Sequence, residues 1–281
     1  MKQNKRLGVG GWISVGWIGL MTIIAVIGPW LGLDTRTYVE LKGQPPFWAG
    51  HILGGNGTGA DLLNTIIVAT RASIFVSFTS IAIGTLVGGF LGLVSGYFRN
   101  RFAVALGSLF DILLAYPPIV LALTLVSVFA TDPNGSDFQR EMIVIIALAI
   151  VSIPILARIT RANTLVWADR EFVQAAEAMG ASRWRILFRE ILPNVAPAMA
   201  AFALLGVGVA IVAESALSLL AVGLKASTPS WGNIISEGRI YLADSPHIVF
   251  SASGFLFMTV LSLNYLGDVI RARFDVKESA L

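Results

Sequence analysis

Four polar residues inside strongly apolar stretches are the first candidates for chemistry in this sequence. They are Asp111, Glu214, Asn264 and Asp268. A carboxyl group within a membrane segment is costly, and it serves either in a proton relay or in hydrogen bonds that hold helices together. Glu214 has no charged residue within one helical turn, so we expect either a partner on another helix or a proton on its carboxyl group.

A polar, arginine-rich segment between two apolar stretches provides the second group of candidates. Within residues 171–197 (EFVQAAEAMGASRWRILFREILPNVAP), Phe172, Ala176 and Met179 recur at helical spacing and predict a short amphipathic helix. Gly180 can take the left-handed conformation that closes a helix, and Ser182 can cap the next one. The second helix has an apolar stripe that we expect to end at Pro193, and its members are Trp184, Leu187, Phe188 and Ile191.

The chemistry of this hairpin is typical of docking. Its small residues allow a partner to approach the backbone closely, and they are Ala175, Ala176, Gly180 and Ala181. The polar positions Gln174 and Glu177 lie around the same short helix. An interfacial helix that lies on anionic lipid is an equally good interpretation from physical chemistry alone, because the arginines favour both.

The sequence lacks the common motifs of nucleotide-binding, catalytic and metal sites. The glycine-rich run at residues 54–61 (GGNGTGAD) lacks the Gly-Lys-Ser/Thr ending of a phosphate-binding loop, and we expect it to be a flexible turn. No Gly-x-Ser-x-Gly, His-Glu-x-x-His or paired-carboxylate pattern occurs. With no cysteine, the chain has no thiolate metal site. We expect His51 and His247 to be exposed or interface histidines and not ligands.

The composition requires that these residues be positioned by membrane helices. Hydrophobic residues make up 56% of the 281 residues, charged residues only 13%, and the mean hydropathy is +0.77. A spanning helix needs about 20 apolar residues. The predicted spans are residues 9–30, 73–97, 102–130, 142–157, 195–222 and 248–269. We therefore predict an all-α polytopic membrane protein with six transmembrane helices, the first of them a retained anchor.

The positive charges predict the orientation, because lysine and arginine near span ends stay in the cytoplasm. With the N-terminus inside, 14 of the 20 basic residues are cytoplasmic. They are Lys2, Lys5, Arg6, Arg99, Arg101, Arg158, Arg161, Arg170, Arg183, Arg185, Arg189, Arg271, Arg273 and Lys277. Both termini and the hairpin are thus predicted to be cytoplasmic. The net charge of +3 forms no basic patch, which argues against a nucleic-acid partner.

Small residues and prolines predict how the spans pack and bend. The second span carries a packing face that consists of Gly84, Gly88, Gly89, Gly92 and Gly96. Pro117 and Pro118 in the third span and Pro154 in the fourth are expected to kink their helices. Residues 225–247 predict short interfacial helices on the outer face.

The hairpin resembles the EAA loop of membrane subunits of ABC importers, in which a coupling helix docks into the nucleotide-binding subunit. The resemblance rests on Gln174, Ala175, Ala176, Gly180 and the pair Leu192 and Pro193. The position that is usually glutamate in this family is Gln174 here. The amide has no charge, so a salt bridge that the family makes from this position is not implied for this chain. An isoleucine expected before the Leu-Pro pair is Glu190.

Further motifs extend the resemblance over residues 51–275, to the second permease subunit of dipeptide, oligopeptide and nickel importers. They include AESALSLLAVGL at 213–224, TPSWGN at 228–233, EGR at 237–239 and NYLGD at 264–268. Single positions that also match are Arg71, Ser73, Asp111, Arg271 and Asp275. The resemblance implies a type I ABC importer permease fold in an inner membrane. It divides the chain into an anchor and outer segment (1–72), a transmembrane domain (73–275) with a coupling hairpin (159–194), and a tail (276–281).

The resemblance also implies partners: a homologous second permease, two ATP-binding subunits and an extracytoplasmic solute-binding protein. ATP and Mg would be bound on the partner ATPase subunits. This chain would bind no cofactor and carry no catalytic site. Glu214 and Asp268 are then structural, because an ATP-driven importer needs no proton path. The alternative is an ion-coupled secondary transporter, although no internal repeat is evident. Peptides, nickel chelates, glutathione and short sugars remain open as the solute.

Overall fold

The computed structural model of the chain describes residues 8–130, 132 and 135–278, with the side chains of all of these except Pro29 and residues 273–278. Some positions used above lie outside the described residues. These are Lys2, Lys5 and Arg6, residues 279–281 of the tail, and the side chains of Arg273, Asp275 and Lys277.

The described residues form ten α-helices, and their only β-structure is two isolated bridges in the outer loop. The helices are α1 (Val9–Ile27), α2 (Leu62–Phe98), α3 (Arg101–Leu114), α4 (Pro118–Phe129), α5 (Asp137–Ala168), α6 (Glu171–Ala178), α7 (Arg183–Ile186), α8 (Leu192–Leu219), α9 (Trp231–Gly238) and α10 (His247–Glu278). A π-helical segment, Leu187–Ile191, joins α7 to α8.

Five helical segments of the described chain are long and apolar enough to cross a membrane. They are α1, α2, α5, the stretch from α7 through α8, and α10 as far as Ala272. A sixth candidate is the pair α3 and α4, which meet at 87°. The bend predicted at Pro117 and Pro118 is thus a break between two helices, and one continuous helix at 102–130 is wrong. Proline has no N–H to donate, but it fits the first turn of α4.

Two other spans are longer than predicted. α2 begins at Leu62 and not at residue 73, because the Asp61 carboxylate caps it by accepting from the Asn64 N–H at 2.8 Å. α5 extends from Asp137 to Ala168 and continues without interruption past Pro154. Hydropathy finds only the apolar part of a helix, and both of these helices continue into polar sequence at their ends.

The glycine face of α2 packs directly on α5, as predicted. A Cβ atom added at Gly88 would lie 2.5 Å from the Ile153 carbonyl oxygen, and one at Gly92 would lie 2.5 Å from the Ala157 carbonyl oxygen. These are backbone atoms that no side-chain rotation can move away. The two helices therefore approach closely along much of their length, which small residues permit in membranes.

The face that the charge pattern predicts to be outer is covered by a packed loop at residues 34–61, the outer loop, and by α9. Asn56 is buried, and its Oδ1 accepts from the Thr58 N–H at 3.1 Å and the Ala60 N–H at 2.8 Å. A Cβ atom at Gly54 would lie 2.2 Å from the Gln44 carbonyl oxygen, and one at Gly55 still closer to Leu41. The expected flexible turn at 54–61 is wrong, because its glycines serve close packing.

Both histidines hold this loop in place. The His51 Nδ1 atom lies 2.5 Å from the Asp61 Oδ2 atom, and the His51 ring stacks on Trp48. The His247 Nε2 atom lies 3.2 Å from the Gly55 carbonyl oxygen. Each histidine thus joins the outer loop to the start of a long helix, His51 through the α2 cap and His247 as the first residue of α10.

Arg140 ties together two connections on the outer side. Its guanidinium donates to the carbonyl oxygens of Gly223 at 2.9 Å, Ala130 at 2.9 Å and Val222 at 2.7 Å. Ala130 follows α4, and residues 222 and 223 follow α8. One side chain in the first turn of α5 therefore binds backbone carbonyls that lie just beyond the ends of two other helices.

Glu237 in α9 is expected to make the stability of the folded protein depend on pH. Burial raises the pKa of this carboxyl above its ordinary value of 4.5, with the Thr58 backbone amide acting in the opposite direction. The folded state then holds the proton more tightly than the unfolded chain, so stability is full below pH 4.5 and falls as pH rises through the raised pKa. We expect Glu237→Gln to raise the melting temperature by about 2–4 °C at about pH 7.5, and by much less at about pH 4. Thermal unfolding of the detergent-purified protein at both pH values measures this, and equal shifts at the two would contradict it.

Candidate functional site

The predicted hairpin forms between α5 and α8. Gly180 ends α6 with a φ of +79°, and the Ala181 N–H donates to the Ala176 carbonyl oxygen at 3.1 Å. The Ser182 Oγ accepts from the Arg185 N–H at 3.4 Å and caps α7. The left-handed glycine and the serine cap are therefore confirmed.

Pro193 does not end the second helix of the hairpin, contrary to the prediction. It lies in the first turn of α8, where a missing N–H has no helical partner to lose. The chain reaches it through the π-helical turn, in which the hydrogen bonds are already displaced. The hairpin is thus continuous with a spanning helix and is not set apart from it by a stop.

The inner face of the hairpin differs in part from the predicted stripe. Val173 and Ala176 of α6 are buried, whereas Phe172 is 39% and Met179 81% exposed. Helical periodicity could have found Val173, which lies three residues before Ala176. The buried cluster beneath the hairpin consists of Leu93, Trp167, Val173, Ala176, Ile186, Leu187, Ile191 and Val195.

The second predicted stripe is divided between the inside and the outside. Leu187 and Ile191 belong to the buried cluster. Trp184 and Phe188 are 50% and 45% exposed, and their rings stack on each other.

The outer surface of the hairpin presents most of the residues expected to contact an ATPase. Exposed members of that set are Gln174, Ala175, Glu177, Gly180 and Pro193, whereas Ala181 and Leu192 are half-buried and Ala176 faces the chain's own core. Apart from its neighbours Met179 and Ala181, no described residue has an atom within 4 Å of a Cβ placed on Gly180. The tip is therefore open to close approach by another molecule, with exposed apolar side chains around it.

Asp111 lies on α3 and pairs with Arg158 on α5. The Asp111 Oδ1 atom accepts from the Arg158 Nη2 atom at 2.8 Å, and each side chain is 60% exposed. Arg158 follows directly after the apolar span predicted at 142–157. Asp111 is thus neutralised beside an arginine at the edge of that apolar stretch, and not isolated in an apolar core.

Glu214 is fully buried in α8 and accepts two hydrogen bonds from serines. Its Oε1 atom accepts from the Ser218 Oγ at 3.0 Å and from the Ser230 Oγ at 3.0 Å. Ser230 also caps α9, and the backbone N–H of Trp231 donates to the Ser73 Oγ of α2 at 3.0 Å. The partner expected on another segment is Ser230, and Glu214 joins α8 to the start of α9.

Asn264 and Asp268 both lie on α10. Asn264 is half-buried and faces Gly208 of α8, and Asp268 is exposed. Within the part of the chain that is described, no hydrogen bond joins any two of the four candidates.

Comparison with known proteins agrees with this architecture. The family described as "Binding-protein-dependent transport system inner membrane component" matches residues 84–278, a range that includes the whole hairpin. A glutathione transport system permease of Pectobacterium atrosepticum, GsiD, is 34% identical over 82% of this chain and 73% of its own. A dipeptide transport system permease of Alkalihalophilus pseudofirmus, DppC, is 32% identical over 99% of this chain and 88% of its own.

A solved structure shares the fold. The MetNI methionine ABC transporter, in inward-facing conformations, aligns with a TM-score of 0.61 over 75% of this chain and 95% of that one, at 18% identity. The family match favours the ATP-driven importer over the ion-coupled alternative. This multi-pass inner-membrane chain therefore belongs to the binding-protein-dependent transport family, as a membrane permease subunit of an ABC importer.

Proposed function

We propose that this chain forms half of the translocation path of a peptide importer and that its hairpin docks into cytoplasmic ATPase subunits. The partners are a homologous second permease, two ATP-binding subunits and an external solute-binding protein. Both termini and the hairpin then face the cytoplasm. ATP and Mg are bound by the partners, and this chain has no ATPase site of its own.

The observation that carries this proposal is the open tip of the hairpin. Gly180 adopts a left-handed backbone conformation, which is unfavourable for residues that have a side chain. Apart from its sequence neighbours, no described part of this chain fills the space beside it. Beside it, the apolar side chain of Met179 is 81% exposed. A small, rigid and partly apolar projection of this kind fits a groove on a partner protein.

The rigid attachment of the hairpin supports a mechanical role. α5 ends at Ala168 and α6 begins at Glu171, while α7 continues through the π-helical turn into α8. Closure of the ATPase subunits would therefore move α5 and α8 with the hairpin, and that motion would open the path to alternate sides.

The solute class follows from the relatives. One is a glutathione permease and the other a dipeptide permease, and both solutes are short peptides. We propose short peptides as the cargo, with selection made mainly by the external binding protein. Asp111 is occupied with Arg158 and Glu214 with two serines, which fits a path that binds its cargo weakly.

Co-purification with the ATPase subunits tests the docking site. We expect Gly180→Arg to reduce recovery of the ATPases by at least about tenfold, because a bulky charge at the tip blocks close approach. The permease itself should remain folded, since nothing surrounds Gly180 within this chain.

Gly180→Asn is the matched control, because asparagine tolerates the left-handed conformation better than other residues and is smaller than arginine. It should retain the ATPases to within about twofold. Full recovery of the ATPases with Gly180→Arg would place the contact elsewhere on the chain.

A further inference from the structure

The cytoplasmic end of α2 contacts the hairpin at three points. The Tyr97 hydroxyl donates to the Glu177 Oε1 atom of α6 at 3.0 Å. The Phe98 ring lies 5.1 Å from the Trp184 ring of α7, centroid to centroid. The Arg99 Nη2 atom donates at 2.7 Å to the Asp169 Oδ1 atom, in the joint between α5 and α6.

These three contacts, from Tyr97, Phe98 and Arg99, reach three different parts of the hairpin. Three points that do not lie on one line fix the orientation of a body as well as its distance. Arg99 adopts a φ of +45°, a left-handed conformation that is uncommon for a residue with a side chain. This conformation ends α2 at Phe98. The Arg99 Nε atom also donates to the Gly96 carbonyl oxygen at 3.4 Å.

α2 is also held to α5 throughout its cytoplasmic half. A Cβ atom at Gly96 would lie 2.7 Å from the Thr164 Cβ atom, one turn from the end of α5. Sliding or rotation of α2 against α5 would force backbone atoms together along this face. The glycine face and the three contacts together leave α2 no independent position relative to the hairpin.

The structure also shows where this unit can bend. Asn100 begins a new helix by accepting from the Ala103 N–H at 3.1 Å, so α3 is not a continuation of α2. On the other side no such break occurs, because the hairpin continues through the π-helical turn at Leu187–Ile191 into α8.

We infer that Tyr97 and Arg99 are positioning residues for energy coupling, which make α2 move with the hairpin and α5 as one rigid unit. This inference rests on the proposed docking of the hairpin into ATPase subunits. It adds α2 to the helices that the ATPases move directly. Both residues act through the hairpin, Tyr97 by its hydrogen bond to Glu177 and Arg99 by its ion pair with Asp169.

Removal of the Tyr97 hydroxyl should weaken the coupling and leave the docking intact. In the complete transporter with its binding protein, Tyr97→Phe should reduce binding-protein-stimulated ATP hydrolysis about three- to tenfold. ATPase co-purification should be unchanged. Glu177→Ala removes the acceptor of the same hydrogen bond, so the double variant Tyr97→Phe with Glu177→Ala should be no worse than the more affected single variant. Additive losses, or unchanged stimulation, would count against the role of this hydrogen bond.

A cross-link tests directly whether α2 and the hairpin move together. The chain has no native cysteine, so Phe98→Cys with Trp184→Cys introduces the only pair in it. In the assembled complex the pair is joined with a short bifunctional thiol reagent, and each single variant serves as control. The cross-linked complex should keep at least about half of its stimulated ATP hydrolysis, because the joined sites do not separate.

Loss of hydrolysis on cross-linking, with recovery on reduction, would show that the two sites must separate and would overturn the inference. That result leaves the docking proposal standing as long as the ATPases still co-purify. Failure of the wild-type chain to retain ATPases would be a failure of the proposed function itself, and the two outcomes are thus distinct.

Discussion

Replacement of Gly92 by valine is expected to prevent stable folding of the chain. A Cβ atom at this position would lie 2.5 Å from the Ala157 carbonyl oxygen and 3.0 Å from the Arg161 backbone nitrogen. Since both are backbone atoms of α5, relief requires that the helices separate and lose packing on either side. We expect a loss of about 3 kcal/mol or more, measured as the disappearance of the monodisperse peak in detergent size-exclusion chromatography.

Gly19→Val in α1 is the control for this experiment. It makes the same chemical change in a membrane helix, but apart from the adjacent backbone of α1 no described atom lies within 4 Å of the added Cβ atom. We expect a peak close to that of the wild type. A well-folded Gly92→Val variant would mean that α2 and α5 can repack at a larger separation.

Loss of the Glu214 carboxyl group is expected to have the second large effect. Glu214→Ala removes the acceptor of two buried hydroxyl groups, those of Ser218 and Ser230, and leaves a cavity in α8. An unsatisfied buried donor costs about 1–3 kcal/mol, so two of them with the cavity should cost about 3–5 kcal/mol. The melting temperature of the purified protein measures this loss. Ser230 caps α9, and we expect protease sensitivity of the outer face to increase as well.

Glu214→Gln separates this structural role from proton transfer. The amide oxygen can accept the same two hydroxyl groups, so stability should stay within about 1 kcal/mol of the wild type. Transport should also be preserved, because the proposed energy source is ATP on partner chains. A stable Glu214→Gln variant that has lost transport would instead support a proton-carrying role.

The helices could be predicted from the sequence because a bilayer imposes a length and a hydropathy that a local window detects. The glycine face of α2 was equally visible, since close packing needs small residues at helical spacing. At the junction of α3 and α4, the sequence predicts only a kink at Pro117 and Pro118 and not a complete break between two helices. Its angle of 87° depends on what the two helices pack against, which no local pattern contains.

The hairpin was predictable in its turns and less so in its faces. Gly180 and Ser182 act through their own backbone, so local rules were sufficient there. The assignment of Ala176 to an outward surface missed the cluster that the end of α2 forms beneath α6. Pro193 was misread because a proline that ends one helix and a proline that begins another look alike in sequence. The contacts of Tyr97 and Arg99 join residues 80 and 70 positions apart, beyond the reach of any periodicity.

The three carbonyl contacts of Arg140 have a consequence for biosynthesis. Two of its acceptors, Val222 and Gly223, follow it by 82 and 83 residues. At about 5–20 residues per second, the ribosome needs roughly 4–16 s to make that stretch. During this interval Arg140 has at most one of its three acceptors, the Ala130 carbonyl oxygen. The ends of α4 and α5 can therefore be joined to the end of α8 only after the hairpin and α8 have been made.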